Sequence, residues 1–333
     1  MSWKRALNGR RVRCAAGLFV AMLCASGLSL QGMGADADVP RTSSSPSVLM
    51  ASSTSGGIVT SESSSSMESP VTERGTVTGI EFDGDADLGT SDSTTYVYTP
   101  PGYNPESAER YSVVYLLHGT PGASADWLSG TSLANRLDSL IDAGEIPPII
   151  AVSPEISTPE VSDTRCLDST TGGPLIDTYL TKDVIPWVDE TYPTYADADH
   201  RILMGFSMGA FCATNLLFQH QDMFSSAAAM ADYGEPGPDA AVLLADEDEY
   251  VRQSPAMYLA DPDFEVRQGL RFYLTVGGQS LDEDVDDTPF LADLASERGV
   301  AVVYEPDEEA DHSWQMVSDH MDRALEVLLA DEN

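Results

Sequence analysis

The chain has 333 residues, enough for one large α/β domain or two small ones. Its 54 Asp and Glu residues outnumber its 17 Lys and Arg residues, which gives a formal net charge of -37 at pH 7. A surface this acidic repels a phosphate backbone, so we expect no nucleic-acid partner and a strongly hydrated protein.

The first 37 residues have the pattern of an export signal. A basic stretch ending at Arg13 precedes an apolar run from Cys14 to Leu30, and Ala35-Asp36-Ala37 matches an A-x-A cleavage site. The apolar run is slightly short for a spanning helix, but it could remain as an uncleaved membrane anchor. We therefore predict a signal peptide over residues 1–37 and a secreted or extracytoplasmic protein, with tethering to the cell envelope as the alternative.

Residues 38–74 are predicted to be a disordered linker. Ser and Thr dominate the stretch from 42 to 70, which contains no aromatic residue. Such a segment has too little apolar surface to offset the entropy lost on ordering. From about Thr76 the sequence has the strand-like alternation of apolar and polar residues that is typical of a folded domain. A folded catalytic domain is therefore expected over residues 75–333.

Within that domain, hydrophobic periodicity predicts alternating strands and helices. The run 111–117 is almost continuously apolar, as is typical of a strand buried on both faces. Strands are predicted at 76–82, 94–99, 111–117, 149–152, 201–205, 226–230, 270–276 and 300–305, and helices at 133–143, 175–192 with a bend at Pro186, 208–219, 288–298 and 314–330. This order predicts an α/β domain with a mostly parallel central sheet and helices on both faces.

The sequence Gly205-Phe206-Ser207-Met208-Gly209 lies between a predicted strand and a predicted helix. A sharp strand-to-helix turn would lift the Ser207 hydroxyl above the sheet, and flanking glycines would remove side chains that collide in so tight a turn. Ser207 is therefore the candidate nucleophile. The N–H group of Met208, at the start of the helix, is a candidate donor to an oxyanion.

A serine nucleophile in this setting predicts an acid and then a histidine further along the chain. Of the five histidines, only His312 lies in a loop after the last predicted strand, and it is the candidate general base. The loop 277–287 supplies several carboxylates. Asp282 is the first choice as the acid and Asp284 the second.

Other candidate residues surround this triad. The second oxyanion donor is expected in the loop after the strand 111–117, where Pro121 has no N–H and Thr120 is the candidate. Trp127 and Tyr233 are candidate substrate-binding residues, with packing roles as the alternative. Cys166 and Cys212 could form a disulfide in an oxidising compartment or remain as two thiols.

Several motifs in order carry a family resemblance. They are the run Tyr98–Tyr103 (YTPPGY), the stretch Tyr111–Gly119 (YSVVYLLHG), Asp126-Trp127, the segment Leu180–Pro193 and the G-F-S-M-G pentapeptide. Together they resemble esterase-D-like α/β hydrolases, especially secreted feruloyl and acetylxylan esterases, and more distantly bacterial mycolyltransferases. The resemblance implies an α/β-hydrolase fold, a triad of Ser207, Asp282 and His312, and backbone donors at Thr120 and Met208.

The expected function is a secreted serine esterase that hydrolyses carboxylic esters through an acyl-enzyme. The acidic surface disfavours anionic substrates and leaves neutral esters, such as acylated polysaccharide or small aryl and alkyl esters. An acyltransferase of the mycolyltransferase type and a non-catalytic cell-surface binding module are the alternatives. No cofactor and no metal are expected, and no oligomeric state is implied.

Overall fold

The structure is a computed structural model that describes residues 73–82, 93–240 and 242–330. The predicted signal peptide and nearly all of the predicted linker lie outside these residues. Among the described helices, none is both long enough and apolar enough to cross a membrane.

A central sheet contains all the strands that were predicted. The strands are β1 (Thr76–Phe82), β2 (Ser93–Thr99), β3 (Ser112–Leu117), β4 (Ile149–Ser153), β5 (Arg201–Phe206), β6 (Ser226–Met230), β7 (Arg271–Thr275) and β8 (Ala301–Tyr304). Their spatial order is β1-β2-β4-β3-β5-β6-β7-β8. β2 is antiparallel to both of its neighbours, and the pairs from β4 to β8 are parallel. The predicted mostly parallel sheet and the α/β-hydrolase fold class are confirmed.

The helices lie in the connections between strands and, for the last helix, after β8. They are α1 (Asp126–Thr131), α2 (Leu133–Ala143), α3 (Ile176–Thr178), α4 (Ile185–Thr191), α5 (Met208–Gln219), α6 (Gly237–Ala240), α7 (Glu247–Arg252), α8 (Pro255–Tyr258), α9 (Asp282–Glu297) and α10 (Trp314–Leu328). A π-helical segment, Tyr179–Val184, joins α3 to α4. Pro186 lies in the first turn of α4, where a missing N–H is tolerated.

Side chains of β3 alternate between the two halves of the core. Val113, Tyr115 and Leu117 pack in a cluster with residues of α5 and α9, whereas Val114 and Leu116 pack with residues of α2 and α10. All six residues of β3 are buried. Helices therefore cover both faces of the sheet, which explains why this strand is apolar at every position after Ser112.

Helix α9 differs from its prediction in a way that matters for the site. It begins at Asp282, six residues before the expected start at 288, and Pro289 lies inside it. Acidic side chains in a first turn are favoured by the helix dipole, and this explains why a carboxylate-rich segment that was expected to be a loop is helical. The short helices α1, α6, α7 and α8 were not predicted.

Candidate active site

Ser207 occupies the sharp turn between β5 and α5. Its backbone has φ 57° and ψ -118°, a conformation in which non-glycine residues are uncommon. The Ser207 N–H donates to the Met230 carbonyl oxygen at 2.9 Å, and its own carbonyl oxygen accepts from Ala210 N at 2.8 Å. The turn is therefore held both to β6 and to the first turn of α5, which fixes a strained residue in place.

The two glycines of the pentapeptide are required by close backbone contacts. A Cβ atom on Gly205 would lie 1.8 Å from the Gly209 carbonyl oxygen, and a Cβ atom on Gly209 would lie 2.0 Å from the Leu117 carbonyl oxygen. Real Cβ atoms do not approach so closely. The end of β5 and the start of α5 can thus pack on each other and on β3 only because both positions lack a side chain.

His312 lies in the loop between β8 and α10 and is hydrogen-bonded to a buried carboxylate. Its Nδ1 atom lies 2.7 Å from Oδ2 of Asp284, which is 1% exposed. The His312 side chain remains 25% exposed, and its ring packs on Phe206, the residue before Ser207, with 4.7 Å between ring centroids. With the Nδ1 proton donated to Asp284, Nε2 is the ring nitrogen that can accept a proton.

The structure therefore favours the second choice for the acid over the first. Asp282 begins α9, and its side chain lies outside the described part of the structure. Asp284 lies in the first turn of the same helix and shares a buried face with Thr288, four residues later. The ranking from the sequence treated residues 277–287 as a loop, in which no face of the chain is assigned, and the identity of the acid stays a prediction.

The loop that follows β3 lies directly against Ser207. A Cβ atom on Gly119 would be 3.2 Å from Ser207 Cβ and 3.3 Å from the Phe206 carbonyl oxygen. Thr120 is the next residue in that loop. Met208 is the first residue of α5, so its N–H has no acceptor within the helix. Both predicted oxyanion donors thus belong to segments adjacent to the nucleophile, and their role stays a prediction.

A buried histidine and glutamate support the same loop. His118 is 0% exposed, and its Nδ1 and Nε2 atoms lie 2.8 Å from the Gly119 carbonyl oxygen and 2.7 Å from Glu155 Oε1. Glu155 also accepts from Ser124 N at 3.0 Å. Burial alone would raise the pKa of Glu155, but the hydrogen bond and charge of His118 and two backbone N–H groups lower it below its ordinary value.

Neither His118 nor Glu155 was predicted to support the site. His118 was set aside because it precedes Ser207, and Glu155 lies in a loop without a motif. The signals for His118 were its position immediately after a buried strand and its place in the motif Tyr111–Gly119.

The two candidate substrate-binding residues, Trp127 and Tyr233, both make packing contacts with other aromatic side chains. Trp127 is 0% exposed and packs edge-on against Trp314, which in turn packs against Phe206. Trp127 therefore packs behind Trp314 and Phe206, and Phe206 contacts the His312 ring. The predicted contact between Trp127 and substrate is not supported by this structure. Tyr233 stacks on Phe211 at 5.8 Å, with the Arg165 guanidinium 4.4 Å from its ring centroid. Packing accounts for these contacts, and substrate binding by Tyr233 stays a prediction.

The cysteines left open by the sequence form a disulfide in the structure. Cys166 and Cys212 are bonded, with 5.3 Å between their Cα atoms. The bridge joins the loop before α3 to the helix that begins beside Ser207, and both cysteines are buried. The disulfide therefore holds the loop that contains Cys166 next to α5.

Solved structures of esterases and related hydrolases have the same fold. A ferulic acid esterase superposes with a TM-score of 0.66 at 21% identity, covering 78% of this chain and 99% of that one. An S-formylglutathione hydrolase from Agrobacterium tumefaciens has a TM-score of 0.63 at 18% identity, covering 77% and 94% of the two chains. At such identities the similarity establishes the fold.

Sequence relatives and the family match then place the chain. An esterase of Mycobacterium tuberculosis (strain ATCC 25618 / H37Rv) is 31% identical over 139 residues, which are 40% of this chain and 27% of the relative. Endo-1,4-beta-xylanase Y of Acetivibrio thermocellus is 30% identical over 124 residues, 34% of this chain and 10% of that protein. The matches thus span about a quarter or less of these relatives. The Esterase family model matches residues 89–332, and the chain therefore belongs to the Esterase family.

Proposed function

We propose that this protein is a serine esterase that hydrolyses neutral carboxylic esters through a covalent acyl-enzyme. The observation that carries the proposal is the hydrogen bond between His312 and the buried Asp284, formed beside the strained Ser207 turn. Family membership and the fold shared with a ferulic acid esterase support it.

The first half of the reaction forms the acyl-enzyme. His312 Nε2 takes the proton of the Ser207 hydroxyl as Oγ attacks the ester carbonyl carbon, and the carbonyl oxygen becomes an oxyanion. The N–H groups of Thr120 and Met208 donate to that oxyanion, each contributing about 3 kcal/mol. Asp284 stabilises the imidazolium that forms. The C–O bond to the alcohol then breaks, and His312 returns the proton to the departing oxygen.

The second half repeats these steps with water. His312 removes a proton from water, the hydroxide attacks the acyl carbon, and the Ser207 oxygen leaves and regains its proton. The products are a carboxylic acid and an alcohol. The negative surface of the chain favours an uncharged substrate. We infer an acyl group carried on polysaccharide or a small aryl ester, since a ferulic acid esterase and a xylanase are among the similar proteins.

The export pattern at the N-terminus supports a secreted or extracytoplasmic location for this activity. A disulfide within the domain is consistent with an oxidising compartment. Both inferences can be tested by locating the protein in culture fractions and by determining the N-terminal residue of the exported form.

The experiment that tests the function compares hydrolysis of p-nitrophenyl acetate and methyl ferulate by wild type and Ser207→Ala. We expect the substitution to lower kcat by about 10⁵- to 10⁶-fold, because the covalent route is lost. Ser139→Ala, an exposed serine of α2, is the matched control and should retain full activity. A burst of p-nitrophenol equal to the enzyme concentration would identify the acyl-enzyme. A folded wild type that hydrolyses neither ester would refute the proposal.

A further inference from the structure

Asp232 is a buried carboxylate that the proposed reaction does not use. It follows β6 and is 0% exposed. Its carboxylate accepts hydrogen bonds from the Thr214 hydroxyl, from Tyr233 N at 2.7 Å and from Gly234 N at 3.4 Å. Burial raises the pKa of Asp232 to about 6, even though these donors lower it. Burying a carboxylate costs folding free energy, so we expect Asp232 to have a structural or functional role that offsets this cost.

The contacts of Asp232 join the two helices that carry the nucleophile and the acid. Thr214 belongs to α5, the helix that begins beside Ser207. Thr288 belongs to α9, and its hydroxyl donates to the Asp232 carbonyl oxygen at 2.8 Å. Because Thr288 lies one helical turn after Asp284, this bond fixes the turn of α9 that presents the acid. One residue thus contacts both helices.

Asp232 also lies close enough to Asp284 for their charges to interact. The two residues follow the neighbouring parallel strands β6 and β7, and the charge of Asp284 contributes to the raised pKa of Asp232. The other titratable groups facing Asp232 are the phenols of Tyr233 and Tyr258, whose pKa values burial raises well above the ordinary value, so both are neutral. The cation Arg165 lies over the Tyr233 ring, 4.4 Å from the ring centroid.

We propose that Asp232 is a positioning residue of the esterase site, which holds the acid helix α9 against the nucleophile helix α5 and adds a second negative charge that interacts with that of Asp284. The inference rests on the proposed function, because it assigns a purpose to Asp232 within that reaction. It has two separable parts, the tether through Thr288 and the charge of the carboxylate.

Asp232→Asn tests the charge. The amide oxygen can accept from Tyr233 N, and the amide N–H can donate to the Thr214 hydroxyl, so the contacts are retained. Removing a negative charge makes protonated His312 less stable. We expect the acid limb of the kcat/KM profile to move to lower pH and kcat to fall by about threefold to tenfold, with KM within about twofold.

Thr288→Val and Thr288→Ser test the tether. Valine matches the shape of threonine but cannot donate to the Asp232 carbonyl oxygen, whereas serine keeps the hydroxyl. We expect Thr288→Val to lower kcat by about tenfold with the acid limb unmoved, and Thr288→Ser to restore most of the rate. Because Asp232 itself is retained, this pair decides the question even if Asp232→Asn does not fold.

A readout without turnover separates failure of this inference from failure of the proposed function. The pH titration of the His312 ring protons by NMR should shift to lower pH in Asp232→Asn, whether or not an ester is hydrolysed. In the activity assay, Ser207→Ala reports on the function itself. Wild-type kcat, pH profile and NMR titration in Asp232→Asn, together with wild-type kcat in Thr288→Val, would overturn the role given to Asp232.

Discussion

The choice of Asp284 as the acid can be tested by replacing it with asparagine. Asp284 is 1% exposed and lies 2.7 Å from His312 Nδ1. Asparagine has nearly the same shape, but its amide N–H group can donate to Nδ1. That contact would favour the imidazole tautomer with its proton on Nε2, which cannot accept the proton of Ser207.

The loss should be large because two effects act together. The wrong tautomer removes the general base from most molecules, and the imidazolium formed in the transition state loses a negative charge that the protein keeps away from water. We expect kcat for p-nitrophenyl acetate to fall by about 1,000- to 10,000-fold, which equals about 4–5.5 kcal/mol of transition-state stabilisation. KM should change little, since Asp284 is too buried to contact substrate.

Two further substitutions in α9 make the test specific. Asp286→Asn removes an exposed carboxylate two residues away and should keep wild-type kcat. Asp282→Asn tests the residue that the sequence ranked first. Steady-state kinetics on all three variants, with circular dichroism to establish folding, gives the comparison. Retained activity in Asp284→Asn together with a large loss in Asp282→Asn would refute the assignment.

Three other predictions concern stability and pH. Gly209→Ala should lower the free energy of unfolding by about 1–3 kcal/mol, since its Cβ would lie 2.0 Å from the Leu117 carbonyl oxygen, and an unchanged urea midpoint would contradict this. Reducing the disulfide, whose cysteines are 46 residues apart, should cost about 4 kcal/mol, measured as a lower unfolding midpoint in dithiothreitol; an equal midpoint with and without reductant would oppose it. The hydrogen bond to Asp177 raises the pKa of His220, so the stabilisation it gives is fully present below the ordinary value of 6.5 and is lost as pH rises through the raised value. His220→Gln should therefore lower the melting temperature most at low pH, and a difference that grows with pH would be inconsistent with this sign.

The parts of the fold that could be predicted are those set by local pattern. The strand 111–117 was identifiable because burial on both faces favours apolar residues at nearly every position, and helix 208–219 matches its predicted bounds. The short helices between β6 and β7 have no recognisable hydrophobic pattern. α6 and α8 have four residues each, too few for a periodic pattern to be visible.

The same distinction applies to the candidate site, where residues fixed by a local pattern could be predicted and the others could not. Ser207 was identifiable because the turn that exposes it needs glycines at fixed spacing, and His312 because the order of strands leaves one histidine in the right loop. The choice between Asp282 and Asp284 could not be made from the sequence, because the orientation of each side chain depends on where α9 begins. With α9 beginning at Asp282, Asp284 lies in its first turn and is buried.

The residues that support the site were not identifiable, and the reason is physical. Glu155 bonds to His118, 37 positions earlier, and Thr288 bonds to Asp232, 56 positions earlier. Each contact joins segments that meet only because of strand order and helix placement in the folded sheet, so no local sequence pattern records it. Reacting groups are exposed by local backbone geometry and leave a motif. Positioning groups act across the fold, so a structure is needed to find them and a paired substitution to measure them.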